Sequence, residues 1–188
     1  MRLNGIPDVF QVSWPFKTRI DFDFSESLSW SPWGVFKTGN IHCYTDDYRF
    51  EGVWRKPEFS LKRALELNFV ISPDFSVYQD APSPVNSWQI YRSLAVFSYW
   101  QNMGVRVIPS ITWVSAKQIL DDLSLYPKFN VISVRSPGSG YTKEWIDGAQ
   151  VINDLLKPMT VLHFGPKRGI DLWSNSNVIN YSLRPHMS

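Results

Sequence analysis

Three aspartates, Asp46, Asp47 and Asp74, carry the first chemistry to be read from this chain. Two or three carboxylates brought together can hold Mg²⁺ or Mn²⁺, the hard cations that assist phosphoryl transfer, with Asp74 and Asp47 as the catalytic pair. Arg49 and Arg92 are the candidate anion clamp beside them. The same residues also support a structural reading, in which Asp47 or Asp74 pairs with Arg49 or Arg92, or caps a turn beside Pro73, and so fixes loops.

Further candidates follow from residue type. Ser136 and Gly138 lie in a Ser-Pro-Gly-Ser-Gly loop before a helical stretch, where backbone N–H groups can receive a phosphate. The loop lacks the Lys-Ser/Thr ending of a P-loop and the full GxGxxG spacing, so an ordinary strand-to-helix connection competes with that reading. His42 and His163 fall in strands without ligand spacing around them and read as hydrogen-bonded core residues, while His186 lies in the tail. There is no Gly-x-Ser-x-Gly elbow and no HExxH motif, which argues against hydrolases of those types. Cys43, the single cysteine, can form no internal bridge and reads as a buried thiol. Trp30, Trp33, Tyr48, Trp54, Trp88 and Trp113 alternate with Arg49, Arg55, Lys56 and Arg92, a mixture able to stack bases while touching phosphates. Most of these rings are expected in the core, with Trp33 and Trp113 kept as stacking candidates.

The elements that must position these residues are legible from residue 67 onward. Short β-rich runs at 67–72, 105–111, 129–134 and 159–164 alternate with helical stretches at 86–103, 116–123 and 143–156, the rhythm of βαβ units on a parallel sheet. Asn86, Ser115 and Thr142 are the expected helix caps, and Gly104 the expected stop of the first. Pro109 must end or bulge its strand. The 86–103 helix is apolar on most of its circumference, which implies burial against several neighbours. Residues 40–44 form a further strand, and Pro57 opens a helix over 58–66 with Leu61, Ala64 and Leu65 inward and Lys62 and Arg63 outward. The fold expected is α/β: a mostly parallel sheet of about five strands with flanking helices. An irregular Trp-rich extension over 1–39 precedes the core at 40–165, and a polar tail over 166–188 follows, in which 178–182 is a possible short edge strand. In such a sheet ligands gather at the carboxyl ends of the strands. That rule selects Asp46, Asp47, Asp74, residues 110–113, residues 135–140 and Gly165.

Segments 45–54 (TDDYRFEGVW), 71–78 (ISPDFSVY) and 107–113 (VIPSITW), with Tyr91-Arg92 and Gly165, resemble a domain-of-unknown-function family found in bacterial genomes, phages and plasmids. The family pattern runs through an Asp-Tyr-Arg-Phe-Glu segment, a Pro-Asp-Phe-Ser-x-Tyr segment, a Tyr-Arg helix, a Val-Ile-Pro strand ending in Trp, and a last strand ending in Gly. Tyr78, which closes the second segment, joins the ligand-binding candidates. This chain has His163-Phe164 before the final Gly, where family members often have a Tyr. The resemblance covers about residues 41–165 and implies a mobile-element origin, with no established activity to carry over.

Composition sets the outer bounds. With 188 residues, 44% hydrophobic and 19% charged, the chain suits one compact domain that needs no disulfide or structural metal. A net charge of +2, from 19 basic and 17 acidic residues, is too mild to announce a nucleic-acid binder. No apolar stretch approaches the roughly 20 residues that span a bilayer, and the N-terminus has no signal-peptide pattern. The functional expectation is a phage or plasmid accessory protein in the host cytoplasm that binds a nucleotide or nucleic acid, with metal-dependent phosphate chemistry. The alternatives are a non-catalytic protein that binds a host protein or sequesters a small ligand, and a virion component.

Overall fold

The computed structural model describes residues 6–7, 10, 15–22, 28–35, 38–137 and 140–183, apart from the Arg168 side chain. Among the described residues seven strands are all paired in parallel: β1 (Trp30–Pro32), β2 (Asn40–His42), β3 (Phe69–Ile71), β4 (Val107–Ile108), β5 (Val131–Arg135), β6 (Thr160–Phe164) and β7 (Asn177–Tyr181). They form a four-stranded sheet, β1-β2-β3-β4, and a three-stranded sheet, β5-β6-β7. A parallel bridge between Ser110 and Ser133 joins the two, carried by Ser133 N–H to Pro109 O (2.8 Å) and Ile111 N–H to Ser133 O (2.9 Å). Pro109 therefore ends the regular strand, as its missing N–H requires, while its carbonyl still serves the seam.

Strand order thus follows chain order from one edge to the other. Parallel crossovers of a single hand place every connecting helix on the same face, and the side chains sort accordingly. Ile41, Cys43, Val70, Val107, Ile132, Val134 and Val161 point into a core shared with the helices. Their alternating neighbours Tyr44, Ile71, Ile108, Val131, Leu162 and Phe164 form a second core with Trp30, Phe69, Ile179 and Tyr181, to which no helical residue contributes. This inner face is covered by the sheet curling on itself, with Ile20, Phe22 and Leu183 packed against it from outside the strands. Laid flat, seven strands would hold β1 and β7 about 29 Å apart. Instead the ring centroids of Trp30 and Tyr181 are 6.0 Å apart, and those of Trp30 and Phe164 5.8 Å. Trp30 opens its strand whereas Tyr181 closes its own, the stagger that a curled sheet imposes.

The helices are α1 (Asp47–Arg55), α2 (Pro57–Leu65), α3 (Ser83–Asn102), α4 (Ala116–Asp121) and α5 (Lys143–Leu156). Ser115 and Thr142 cap α4 and α5 as expected, accepting from the N–H groups of Gln118 and Trp145. Buried residues lie all round α3, consistent with its continuous apolarity. The Asp-Tyr-Arg-Phe-Glu segment, to which no element was assigned from the sequence, is a helix, α1, that packs Phe50, Val53 and Trp54 inward. Three expectations need correction. Asn86 caps nothing, because α3 begins at Ser83 behind Pro82. Leu65 is exposed, while Arg63 lies over the Trp33 ring at 4.7 Å instead of facing water. Two strands extend the expected five: β1, where the Trp-rich segment was expected to be irregular, and β7, the short edge strand expected in the tail.

Side-chain amides tie the irregular N-terminal chain to this frame by gripping its backbone in both directions. Gln101 accepts from Lys17 N–H and donates to Lys17 O, each at 2.8 Å, and Asn130 does the same with Ile20 at 2.7 and 3.0 Å. Phe10 stacks on Trp54 at 4.5 Å.

Gly148, inside α5, marks a close helix–loop approach. A Cβ there would stand 2.3 Å from Trp113, whose indole N–H is held by Trp145 O at 3.0 Å and cannot retreat freely. Gly→Ala in a helix interior ordinarily stabilises by about 1 kcal/mol. Here the overpacking wins: Gly148→Ala is expected to lower unfolding stability by about 1–3 kcal/mol, measured by urea titration.

Candidate functional site

The residues that could do chemistry meet at the carboxyl ends of β2 to β5. Asp74 follows β3 in a segment fastened nearly residue by residue. Phe75 N–H bonds Ser93 Oγ (3.3 Å), Ser76 N–H and Oγ bond the two oxygens of Asp47 (3.1 and 2.9 Å), and Asn86 accepts from Tyr78 N–H (3.0 Å) while donating to Tyr78 O (2.8 Å). Asp74 is thus presented by a loop whose order comes from α1 and α3.

Around it lies a chain of hydroxyls. Ser110 Oγ stands 3.1 Å from Asp74 Oδ1 and 3.2 Å from the Tyr44 phenol. That phenol is 2.7 Å from Ser133 Oγ, which donates to Leu162 O at 3.3 Å. Ser110 N–H is held by Ser72 Oγ at 2.8 Å. With Asp74 protonated, each hydroxyl can donate to the next, from Asp74 through Ser110, Tyr44 and Ser133 to the Leu162 carbonyl. Loss of the proton reverses Ser110 toward the carboxylate.

Electrostatics keep Asp74 close to that transition. Burial pushes its carboxyl up to about 6, and the Asp47 charge adds to this, while Arg135 and the Ser110 hydroxyl pull it down. Asp74 nonetheless keeps partial solvent access. Burial raises the Tyr44 phenol far beyond its ordinary range, with Asp74 adding, so it stays protonated. Arg135, at the end of β5, is exposed and its charge reaches both Asp74 and Tyr44. A carboxyl that titrates near neutrality beside a cation and a hydroxyl chain can take up or deliver a proton and can orient an anionic ligand.

The other sequence candidates are distributed as follows. Asp46 turns to solvent and pairs with Arg49 at 3.6 Å, so neither joins Asp74. Among the described residues no group of three His, Cys, Asp or Glu side chains is placed to hold a metal ion. Asp47 is near enough to act on Asp74, but both its oxygens are occupied by Ser76. Arg92 is buried: it bonds Glu51 (2.5 Å) and Gln89 (3.0 Å) and lies 3.7 Å over the Phe75 ring, so it fixes the loop from behind and presents no free guanidinium to an anion. Trp113 packs in the core against Trp145 and Trp173, and Trp33 against Trp100, so neither offers a face for base stacking. The Tyr78 ring is exposed. Ser136 is buried, with Gly165 packed against it at φ +141°, and Gly138 lies outside the described residues. Sequence reasoning missed Tyr44 and Ser133. The rule that chose Asp74 applied equally to Tyr44, which ends the segment carrying β2.

With the geometry in view, comparison with known proteins places the chain. The family model for the domain of unknown function DUF4417 matches residues 19–182. The chain belongs to this family. The resemblance read from the motifs is therefore right, and every residue of the site lies within the DUF4417 match. Two curated relatives are the Gene 1 protein of Mycobacterium phage D29, 32% identical over 139 residues, and that of Mycobacterium phage L5, 30% identical over 139. Each alignment covers 71% of this chain, but 51% and 60% of the respective relative, so the chain spans only half to three fifths of their length. No solved structure matches.

The raised Asp74 carboxyl fixes the sign of a pH effect. Between about pH 4, where an unfolded aspartate loses its proton, and about pH 6, the folded state binds more protons than the unfolded one, so this group lowers stability as pH rises. Asp74→Asn is expected to remove that loss. Its stability relative to the parent chain should rise between pH 4 and pH 7 by about 2–3 kcal/mol, read from urea unfolding at several pH values.

Proposed function

We propose that this DUF4417 protein is a phage accessory protein of the host cytoplasm that binds a nucleotide or a nucleic-acid end at the carboxyl ends of its strands. Asp74 is the proton-transfer group, and Arg135, in place of Arg49 and Arg92, is the cation that meets the phosphate. The observation that carries the reading is the Asp74 carboxyl, titrating near neutrality within hydrogen-bond reach of Ser110 and in the field of Arg135. Mg²⁺ or Mn²⁺ would be held between Asp74 and the phosphates of the ligand, since such ions commonly take one or two carboxylates and complete their shell with phosphate and water. The phage relatives support the mobile-element setting. Among the described residues no helix is long and apolar enough to cross a membrane.

A second reading has one observation in its favour. Tyr48 on α1, Phe59 on α2 and Tyr78 after β3 are large exposed aromatics on the helical side, suited to a host protein surface.

A thermal-shift series with nucleoside mono-, di- and triphosphates and short oligonucleotides, each with and without Mg²⁺ or Mn²⁺, tests the first reading. A ligand at about 100 times its Kd adds ~2.7 kcal/mol, or roughly 5–10 °C in melting temperature for a chain of this size. That shift should vanish in Arg135→Ala and lose its metal dependence in Asp74→Asn. A flat series, with a host protein retained by the parent chain and released by Phe59→Ser, would transfer the assignment to the second reading.

A further inference from the structure

On the helix-facing side of the sheet, toward the carboxyl ends of β5 to β7, lies a second polar constellation. Ser136 follows β5, His163 lies in β6 and Asn180 in β7, and the parallel register brings the three strands' ends side by side. Ser136 Oγ is 2.8 Å from His163 Nε2, and His163 Nδ1 is 2.6 Å from Asn180 Oδ1. With the proton on Nδ1 donated to the Asn180 carbonyl oxygen, Nε2 is left as an acceptor directed at the serine hydroxyl. Burial holds the His163 pKa below its ordinary value, against the pull of Asn180, so the imidazole is neutral and able to accept. The Tyr141 phenol, partly exposed, stands 2.8 Å from the same Ser136 Oγ and 3.3 Å from Pro166 O, to which it donates when not turned toward the serine.

The surrounding backbone is built close to this group. A Cβ on Gly165 would come 2.6 Å from Ser136 Cβ, and one on Gly169 would come 2.3 Å from the Tyr141 hydroxyl oxygen and 2.8 Å from His163 Nε2. Gly165 holds φ +141°, which L side chains rarely adopt. Ser136 itself is buried, and its neighbours Pro137, Tyr141 and Gly165 are partly exposed.

A hydroxyl, a base within hydrogen-bond reach and a third group orienting that base make up an activated nucleophile, recognised by geometry and roles and not by position in the sequence. We infer that Ser136, His163 and Asn180 form a nucleophilic serine site for a carboxylic ester or comparable acyl substrate, with the Tyr141 hydroxyl as the oxyanion donor. Ser136 Oγ attacks the carbonyl carbon as its proton passes to His163 Nε2. The carbon–oxygen bond to the leaving alcohol then breaks, and His163 returns the proton to that alcohol. Water repeats the sequence on the acyl-serine and releases the acid. Asn180 is a positioning residue that holds the imidazole tautomer. The partners of Ser136, a phenol and a neutral imidazole, suit a carbonyl oxygen that gains charge only in the transition state better than a phosphate dianion charged throughout. This site is separate from the one built on Asp74, and either can fail without the other.

Incubating the full chain with a fluorophosphonate tests the inference, because a nucleophilic serine displaces fluoride and keeps the phosphonyl group. Intact mass should show one adduct per chain, peptide mapping should place it on Ser136, and Ser136→Ala should abolish it. Tyr141→Phe should slow p-nitrophenyl acetate turnover by about 100-fold. Asn180→Ala should slow labelling at least 10-fold, with Asn180→Asp restoring it. Absence of an adduct on the parent chain, under conditions that label a known serine esterase fully, overturns the inference, and so does an adduct mapped to another residue. Because mapping is done on the parent chain, the result stands even if a variant fails to fold.

Discussion

The meeting of Trp30 with Phe164 and Tyr181 is the constraint on which the rest of the architecture depends. A parallel sheet with all its helices on one side leaves its other face exposed, and that face here carries Ile71, Ile108, Val131 and Leu162. Among the described residues no helix covers it; Ile20, Phe22 and Leu183 pack against part of it. The sheet has to curl until its first and last strands meet, and a large ring at each of those strands closes the gap. Each fully buried aliphatic side chain beneath them contributes about 1.5–3 kcal/mol, and the pairing of aromatic edges and faces adds ~0.5–1.5 kcal/mol. The curl also brings the carboxyl ends of successive strands toward a common centre, so residues as distant in sequence as Tyr44 and Ser133 come into hydrogen-bonding contact.

Within that frame, order at the candidate site comes from groups that do not belong to it. Arg92 and Glu51, Ser93, Asp47 and Asn86 are all spent on the backbone or underside of the segment carrying Asp74. Such a loop loses little conformational freedom when a ligand arrives, which is where binding sites commonly lose affinity. The unfavourable element is Asp74 itself, whose burial opposes its charge. A carboxyl held against its preferred ionisation by a rigid surround is a common way for a protein to store functional potential at the expense of stability.

Much of the α/β skeleton was legible because its signals are local. Alternating β-branched runs, Ser115 and Thr142 as caps, Pro109 as a strand end and the continuous apolarity of α3 all act within a few residues of themselves. The Asp-Tyr-Arg-Phe-Glu helix escaped notice because two adjacent aspartates and a glycine mask its inward set of Phe50, Val53 and Trp54. At the site, the carboxyl-end rule selected Asp74, Ser110 and Arg135, since it needs only strand boundaries. Residue type had instead put Arg92 forward as the anion clamp, the place proposed for Arg135. That difference rests on Glu51, one helix away, which neutralises Arg92 in the core. The Ser136–His163–Asn180 chain was likewise invisible: its members sit on three strands whose side-by-side register is a tertiary fact, and no single segment has a recognisable motif.

The seam between the two sheets gives the site a further property. Tyr44, Asp74 and Ser110 belong to the first sheet, Ser133 and Arg135 to the second, and little backbone pairing beyond the Ser110–Ser133 bridge ties the two together there. The hydroxyl chain crosses that line, so the constellation exists only while the halves are docked. Any molecule that engages Asp74 and Arg135 at once acts as a clasp across the join, and by linkage its occupancy and the closure of the seam become one equilibrium.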